Sequence, residues 1–183
     1  MELESILHQK LGITRIKELA FLAASDPAIR SDIMTFTHSD DRRTGVNALW
    51  VLTHLPLTEI KWLRSVRDEL TDMLLTETDV ARKRMLLQLL REQEYDAGDI
   101  RTDLLDYCLS KINSECEPYA VRCFSLYAAF KMCRHFPELV TELEGHLEML
   151  SFQTLSPGLK SALGKTTADI ARLKRHQGKC PCK

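Results

Sequence analysis

The sequence predicts an all-α chain of stacked helical hairpins, about four of them after an N-terminal helix pair. Three observations carry this expectation. The stretch Asp40–His54, DDRRTGVNALWVLTH, returns with the same pattern as DVARKRMLLQLL at Asp79–Leu90 and as EPYAVRCFSLYAAF at Glu117–Phe130. The arginines of the three copies, Arg42, Arg82 and Arg122, stand 40 residues apart. Apolar residues follow in the same register: Val46, Leu86 and Leu126, then Leu49, Leu89 and Ala129, then Trp50, Leu90 and Phe130. A fixed period near 40 is what a helical-repeat array produces. Finally, 7 Gly and 6 Pro in 183 residues are too few for a loop-rich or all-β chain.

The elements follow in order. Residues 2–12 can form a short helix through Leu3, Ile6, Leu7 and Leu11, ended by Gly12. Thr14 then caps a helix carrying Ile16, Leu19, Ala20 and Ala23. Asp26-Pro27 restarts the chain, because Asp accepts from free N–H groups and Pro at the first helical position loses no bond. That helix ends near Phe36, and the polar loop THSDD leads into the first copy, where Val46, Leu49 and Trp50 share one helical face. Pro56 stops the copy, Thr58 caps the next helix, and Ile60, Leu63, Val66, Leu70, Met73 and Leu74 make one long stripe to about Thr76. Asp79 opens the second copy, which ends near Glu94. The turn YDAG precedes a helix with Ile100, Leu104, Leu105, Cys108 and Ile112. Glu117-Pro118 opens the third copy, apolar nearly all round and therefore expected between neighbours. Pro137 begins a helix with Leu139, Leu143, Leu147 and Leu150. Ser156-Pro157 opens a weaker fourth copy with Leu159, Leu163, Ile170 and Leu173. The reading is one repeat domain over 1–176 and a basic, cysteine-containing tail over 177–183.

An acid or Pro in the turn, an Arg in the first helical turn and A-L-x-x-L spacing resemble the second helix of HEAT repeats. The matching residues are Asp41-Arg42 with Ala48-Leu49, Asp79 with Arg82, and Pro118 with Val121-Arg122 and Ala128. The resemblance covers roughly residues 14–175 and implies a right-handed α-α superhelix of armadillo type. The copies vary: Arg42 follows its acid by one residue, Arg82 by three and Arg122 by five, and the fourth copy has Lys160 in that place. More narrowly, RTGVNALWVLTHLPLTEIKWL and YAVRCFSLYAAF resemble a family of small bacterial HEAT-like proteins, some of which carry an adenylosuccinate lyase label. A lyase of that class needs a glycine- and serine-rich loop that delivers a serine, and this sequence has no such loop.

Composition narrows the function. The net charge of −1 gives no general attraction to nucleic acid or membrane. The longest charge-free run, Thr44–Thr58, holds fifteen residues including Asn47, His54 and Pro56, short of the roughly 20 that span a bilayer. Cys108, Cys123 and Cys133 lie in apolar helical patterns, which predicts a reduced, cytoplasmic protein. The six His are scattered, and neither a Ser–His–acid or Cys–His–acid set nor a glycine-rich phosphate loop can be assembled, so no catalytic residue and no cofactor is assigned.

The expectation is a non-catalytic module that binds a protein or peptide on the concave face of the second helices. Arg42, Arg43, Asn47, His54, Arg82 and Arg122 are the candidate binding residues, since Arg suits bidentate carboxylate or phosphate recognition. The same arginines can instead tie each turn to its neighbour through Asp40, Asp79 and Glu117. Trp50, in register with Leu90 and Phe130, reads as core. The alternative is nucleic-acid binding, or a DNA-glycosylase-like activity, through an Arg-lined groove or the basic C-terminal end. From Pro157 to Lys183 that end holds seven Lys/Arg and one Asp. His176, Cys180 and Cys182 are three soft metal donors that need a fourth, Cys116 or His146, so no metal site is assigned. The sequence fixes neither partner nor oligomeric state.

Overall fold

A computed structural model describes residues 2–177, without the side chains of Leu57, Ile60 and Gln177. Helix makes up 77% of it in eleven α-helices, and the described residues contain no strand. The contacts divide the chain into two compact units, Met1–Gln93 and Glu94–Lys183.

The first unit holds α1 (Glu2–Leu7), α2 (Ile13–Ser25), α3 (Pro27–Phe36), α4 (Arg42–Leu52), α5 (Ile60–Ser65), α6 (Arg67–Thr76) and α7 (Val80–Glu92). Helix α4 is its hub, packing against α1, α2, α3 and α7, while α6 covers α7. The buried apolar residues of α4 are Ala48, Leu49, Val51 and Leu52, and those of α7 include Leu86, Leu87 and Leu90, all at most 1% exposed. The second unit holds α8 (Thr102–Ile112), α9 (Tyr119–Cys133), α10 (Pro137–Ser151) and α11 (Pro157–Gln177). As its composition requires, α9 lies among the other three, with Val121, Leu126, Ala128, Ala129, Met132 and Cys133 fully buried.

Aspartate caps set the starts of α3, α4 and α7. Asp26 accepts from the Ala28 N–H at 2.8 Å with Pro27 behind it. Asp41 accepts from the Thr44 N–H at 2.7 Å and its hydroxyl at 2.8 Å. Asp79 accepts from the N–H groups of Ala81 and Arg82 at 2.9 and 3.0 Å.

Three expected boundaries differ. Helix α1 ends at Leu7, because Asn47 takes the Leu7 and Gln9 carbonyls at 2.8 and 2.9 Å and so replaces the next helical turn. Gly12, not Thr14, is the N-cap of α2, with φ −97° and ψ 166°. The long stripe after Pro56 is broken. A 3₁₀ turn, Leu57–Glu59, precedes α5, and Val66 at φ −104°, ψ 9° separates α5 from α6. Positions 60, 63 and 66 advance in steps of three, which drifts about 120° off a straight helix's face in two steps. Leu63 on α5 and Leu70 and Leu74 on α6 are all buried.

Three polar contacts at different positions of the copies each span the same sequence distance. Asn47 donates to Leu7, the His135 ring nitrogen lies 2.6 Å from the Tyr95 carbonyl, and Gln153 donates to Asn113 at 3.1 Å, each pair 40 residues apart. Replacing Leu86, fully buried on α7, by Ala should cost about 2–5 kcal/mol in chemical denaturation.

Candidate functional site

Four of the six candidate residues gather at the start of α4. Arg42, whose side chain is 70% exposed, donates from Nε to the Asp79 carboxylate at 2.6 Å, linking α4 to the cap of α7. Arg82 returns the link. Its Nη2 donates to the Thr37 carbonyl at 2.8 Å and its Nη1 to that of Ser39 at 3.3 Å, closing the turn that leads into α4. The Glu77 carboxylate stands 2.6 Å from Arg82 Nε, off the N–H axis, and so acts as a counter-charge rather than an aligned bond. Asn47 is 6% exposed and spent on Leu7 and Gln9. Arg43 is exposed and makes only a long 3.5 Å approach to the His8 carbonyl.

Gly45 makes room for this crossing. A Cβ placed on it would stand 2.9 Å from Arg82 Nη1 and 3.4 Å from the Ser39 carbonyl oxygen. The guanidinium held by two carbonyls thus occupies the space that any side chain at position 45 would fill.

His54 lies at the other end of α4, roughly 18 Å from Arg42 at 1.5 Å per residue. Its Nδ1 sits 3.0 Å from the Trp50 carbonyl, and its ring meets the Trp50 indole edge-on, with centroids 6.2 Å apart. Trp50 is half-buried, whereas Leu90 in the same register is fully buried. The core reading thus holds for Leu90 and only in part for Trp50. Arg43, Val46, Trp50 and His54 together form a partly open stripe along α4. Trp62 is covered by the Arg30 guanidinium, 5.0 Å from its ring centre, and Arg30 is ion-paired with Glu59.

Arg122 lies in the second unit and behaves differently. It is 2% exposed, donates from Nε to the Ile112 carbonyl at 2.9 Å and from Nη2 to the Gln153 side-chain oxygen, and has no acid in ion-pair reach among the described residues. Glu117, its expected partner, is 3.3 Å from Lys111.

Sequence reasoning missed two features. Ile13, Phe21 and Leu22 on α2 are 45%, 72% and 44% exposed, Phe21 and Leu22 off the buried stripe of Ile16, Leu19, Ala20 and Ala23 and Ile13 at its open N-terminal end. The departure of Phe21 and Leu22 from the i, i+3, i+4 stripe was the available signal. The second is a cleft beside Arg122, whose loop residues carry no periodic signal. His146 is hydrogen-bonded to Asn113, His176 lies in the last turn of α11, and Cys180 and Cys182 lie outside the described residues. Cys108, Cys116, Cys123 and Cys133 are free, and burial pushes the Cys108 and Cys133 thiols up to about 12. No helix of the described residues is long and apolar enough to cross a membrane.

The chain matches the family model for the HEAT repeat domain over residues 3–170. It belongs to that family. No curated protein and no solved structure matches it. HEAT repeats generally act as protein-interaction scaffolds, and in this HEAT repeat chain the turn-to-turn arginine contacts are Arg42–Asp79 and Arg82 with the Thr37 and Ser39 carbonyls.

Two outcomes follow from the Arg42–Asp79–Arg82 exchange. Gly45→Ala should lower stability by about 1 kcal/mol in urea unfolding, although Ala is the better helix former, because displacing Arg82 unmakes buried bonds worth more than the propensity gain. An increase in stability would show that the guanidinium moves aside freely. Burial raises the Asp79 carboxyl, but the Arg82 N–H, the Arg42 guanidinium and the Ala81 N–H outweigh it and hold it below its ordinary value. A lowered carboxyl contributes stability above its unfolded-state value and loses it as pH falls through the folded one. Asp79→Asn should therefore flatten the loss of melting temperature below about pH 4.

Proposed function

We propose that the chain is a non-catalytic interaction module that holds an acidic segment of a partner protein, with α4 as the carrying helix. The observation that supports this is the stripe on α4. Trp50 leaves part of its indole in solvent despite a register that buries Leu90, and it is flanked by the exposed Arg42 and Arg43 and by His54. Trp and Arg are the residues that most often dominate binding energy at interfaces. An apolar residue on the partner would complete the burial of Trp50, and a carboxylate would meet Arg43, which has no acid of its own among the described residues. Arg82 and Asn47 serve this reading indirectly, Arg82 by fixing the turn before α4 and Asn47 by holding the end of α1 against it.

The test compares pull-downs from native lysate with the wild-type chain, the Arg43→Glu/Trp50→Ala double variant and Phe21→Asp on α2, all checked for unchanged circular dichroism. A partner retained by wild type and by Phe21→Asp but lost from the double variant is expected. Retention by the double variant, or loss confined to Phe21→Asp, would remove α4 from the role.

A further inference from the structure

The cleft beside Arg122 has a volume of about 470 Å³ and is lined by Glu115, Cys116, Glu117, Pro118, Tyr119, Arg122 and Thr154. Two independent features make it favour negative charge. The first is the start of α9. Its N-cap is Pro118, no side chain caps it, and the first intrahelical bond runs from the Arg122 N–H to the Pro118 carbonyl. The N–H groups of Tyr119, Ala120 and Val121 are thus the orphan donors of a fifteen-residue helix, at its positive end.

The second is Arg122 itself. Arg122 is buried as a residue, and a largely buried guanidinium should have a counter-charge, because burying an unpaired ion is costly. Here both bonded partners are neutral, the Ile112 carbonyl and the Gln153 amide oxygen. These bonds use Nε and Nη2. Nη1 has no partner among the described residues, and the side chain borders the cleft. Two bonds hold the guanidinium beside the cleft and leave Nη1 as a donor for a charge-assisted contact.

The charges on the rim select the ligand. Glu117 is engaged by Lys111 at 3.3 Å, while Glu115 is exposed at the mouth. A dianion would be repelled by these carboxylates, whereas a single negative charge matches one guanidinium and one helix end. Pro118 and the Tyr119 ring, 48% exposed, add an apolar wall. We infer that this cleft binds a carboxylate carried on an apolar body, with Arg122 Nη1 and the first N–H groups of α9 as its donors. The inference does not rest on the partner reading of α4, which lies in the other unit.

The experiment is an amide-resolved NMR titration of the full chain with benzoate, benzamide and inorganic phosphate. Benzoate should give saturable shifts at the amides of Tyr119–Arg122 in the millimolar range. Benzamide and phosphate should bind at least about tenfold more weakly, the size of one lost charge-assisted contact. Removing Arg122 could unfold the chain, so the variant is Tyr119→Glu. It sets a competing carboxylate at an exposed position in the first helical turn, where acids are tolerated, and should weaken benzoate at least about tenfold with the melting temperature kept. Equal binding of benzamide, tighter binding of phosphate, undiminished benzoate binding by Tyr119→Glu, or no shifts at these amides would each overturn the assignment. None of these results would touch the pull-down outcome for α4.

Discussion

The structure depends on how the open ends of its helices are closed. The last carbonyls of a helix have no partner within it, and buried ones must find another. In this chain the donors come from later in the sequence, 10 to 45 residues on. Asn47 closes the end of α1, Arg82 the end of α3, Arg122 the end of α8, and Gln153 accompanies it by binding Asn113. Apolar burial supplies the bulk of the stability. These polar links act differently, because each is satisfied only at one spacing between helices, and they therefore fix the register at which the apolar stripes meet.

That division explains what could be read in advance. The all-α class, the capping by Asp26, Asp41 and Asp79, and the buried faces of α4, α7 and α9 all come from local rules or from periodicity, which a sequence displays directly. The break at Val66 was also present in the sequence, as a run of threefold steps, but an apolar stripe reads as continuous unless its phase is followed. The early end of α1 could not be read in the same way, because Asn47, the residue that replaces its next turn, stands 40 positions away.

The candidate residues divide along the same line. Arg42, Arg82 and Arg122 occupy one register, yet one is open to solvent, one is wedged against a backbone turn and one is buried without an acid. The register places the Cα atoms. The neighbouring loop decides what the guanidinium meets, and loops are where the three copies diverge: Ser39 and Asp40 before the first, Glu77 before the second, Glu115 and Cys116 before the third. Trp50 makes the same point, since its register predicts burial and its surroundings leave it partly open.

Gly45 carries a consequence for the repeats as parts. The positions that share its register are Met85 and Ser125, both with side chains, so only the first copy leaves a path for an arginine from the following one. Exchanging the copies would drive a thioether or a hydroxyl into that path. The units look alike in pattern but are not interchangeable, and building a longer array by duplication would have to carry the Gly45–Arg82 junction across as a single block.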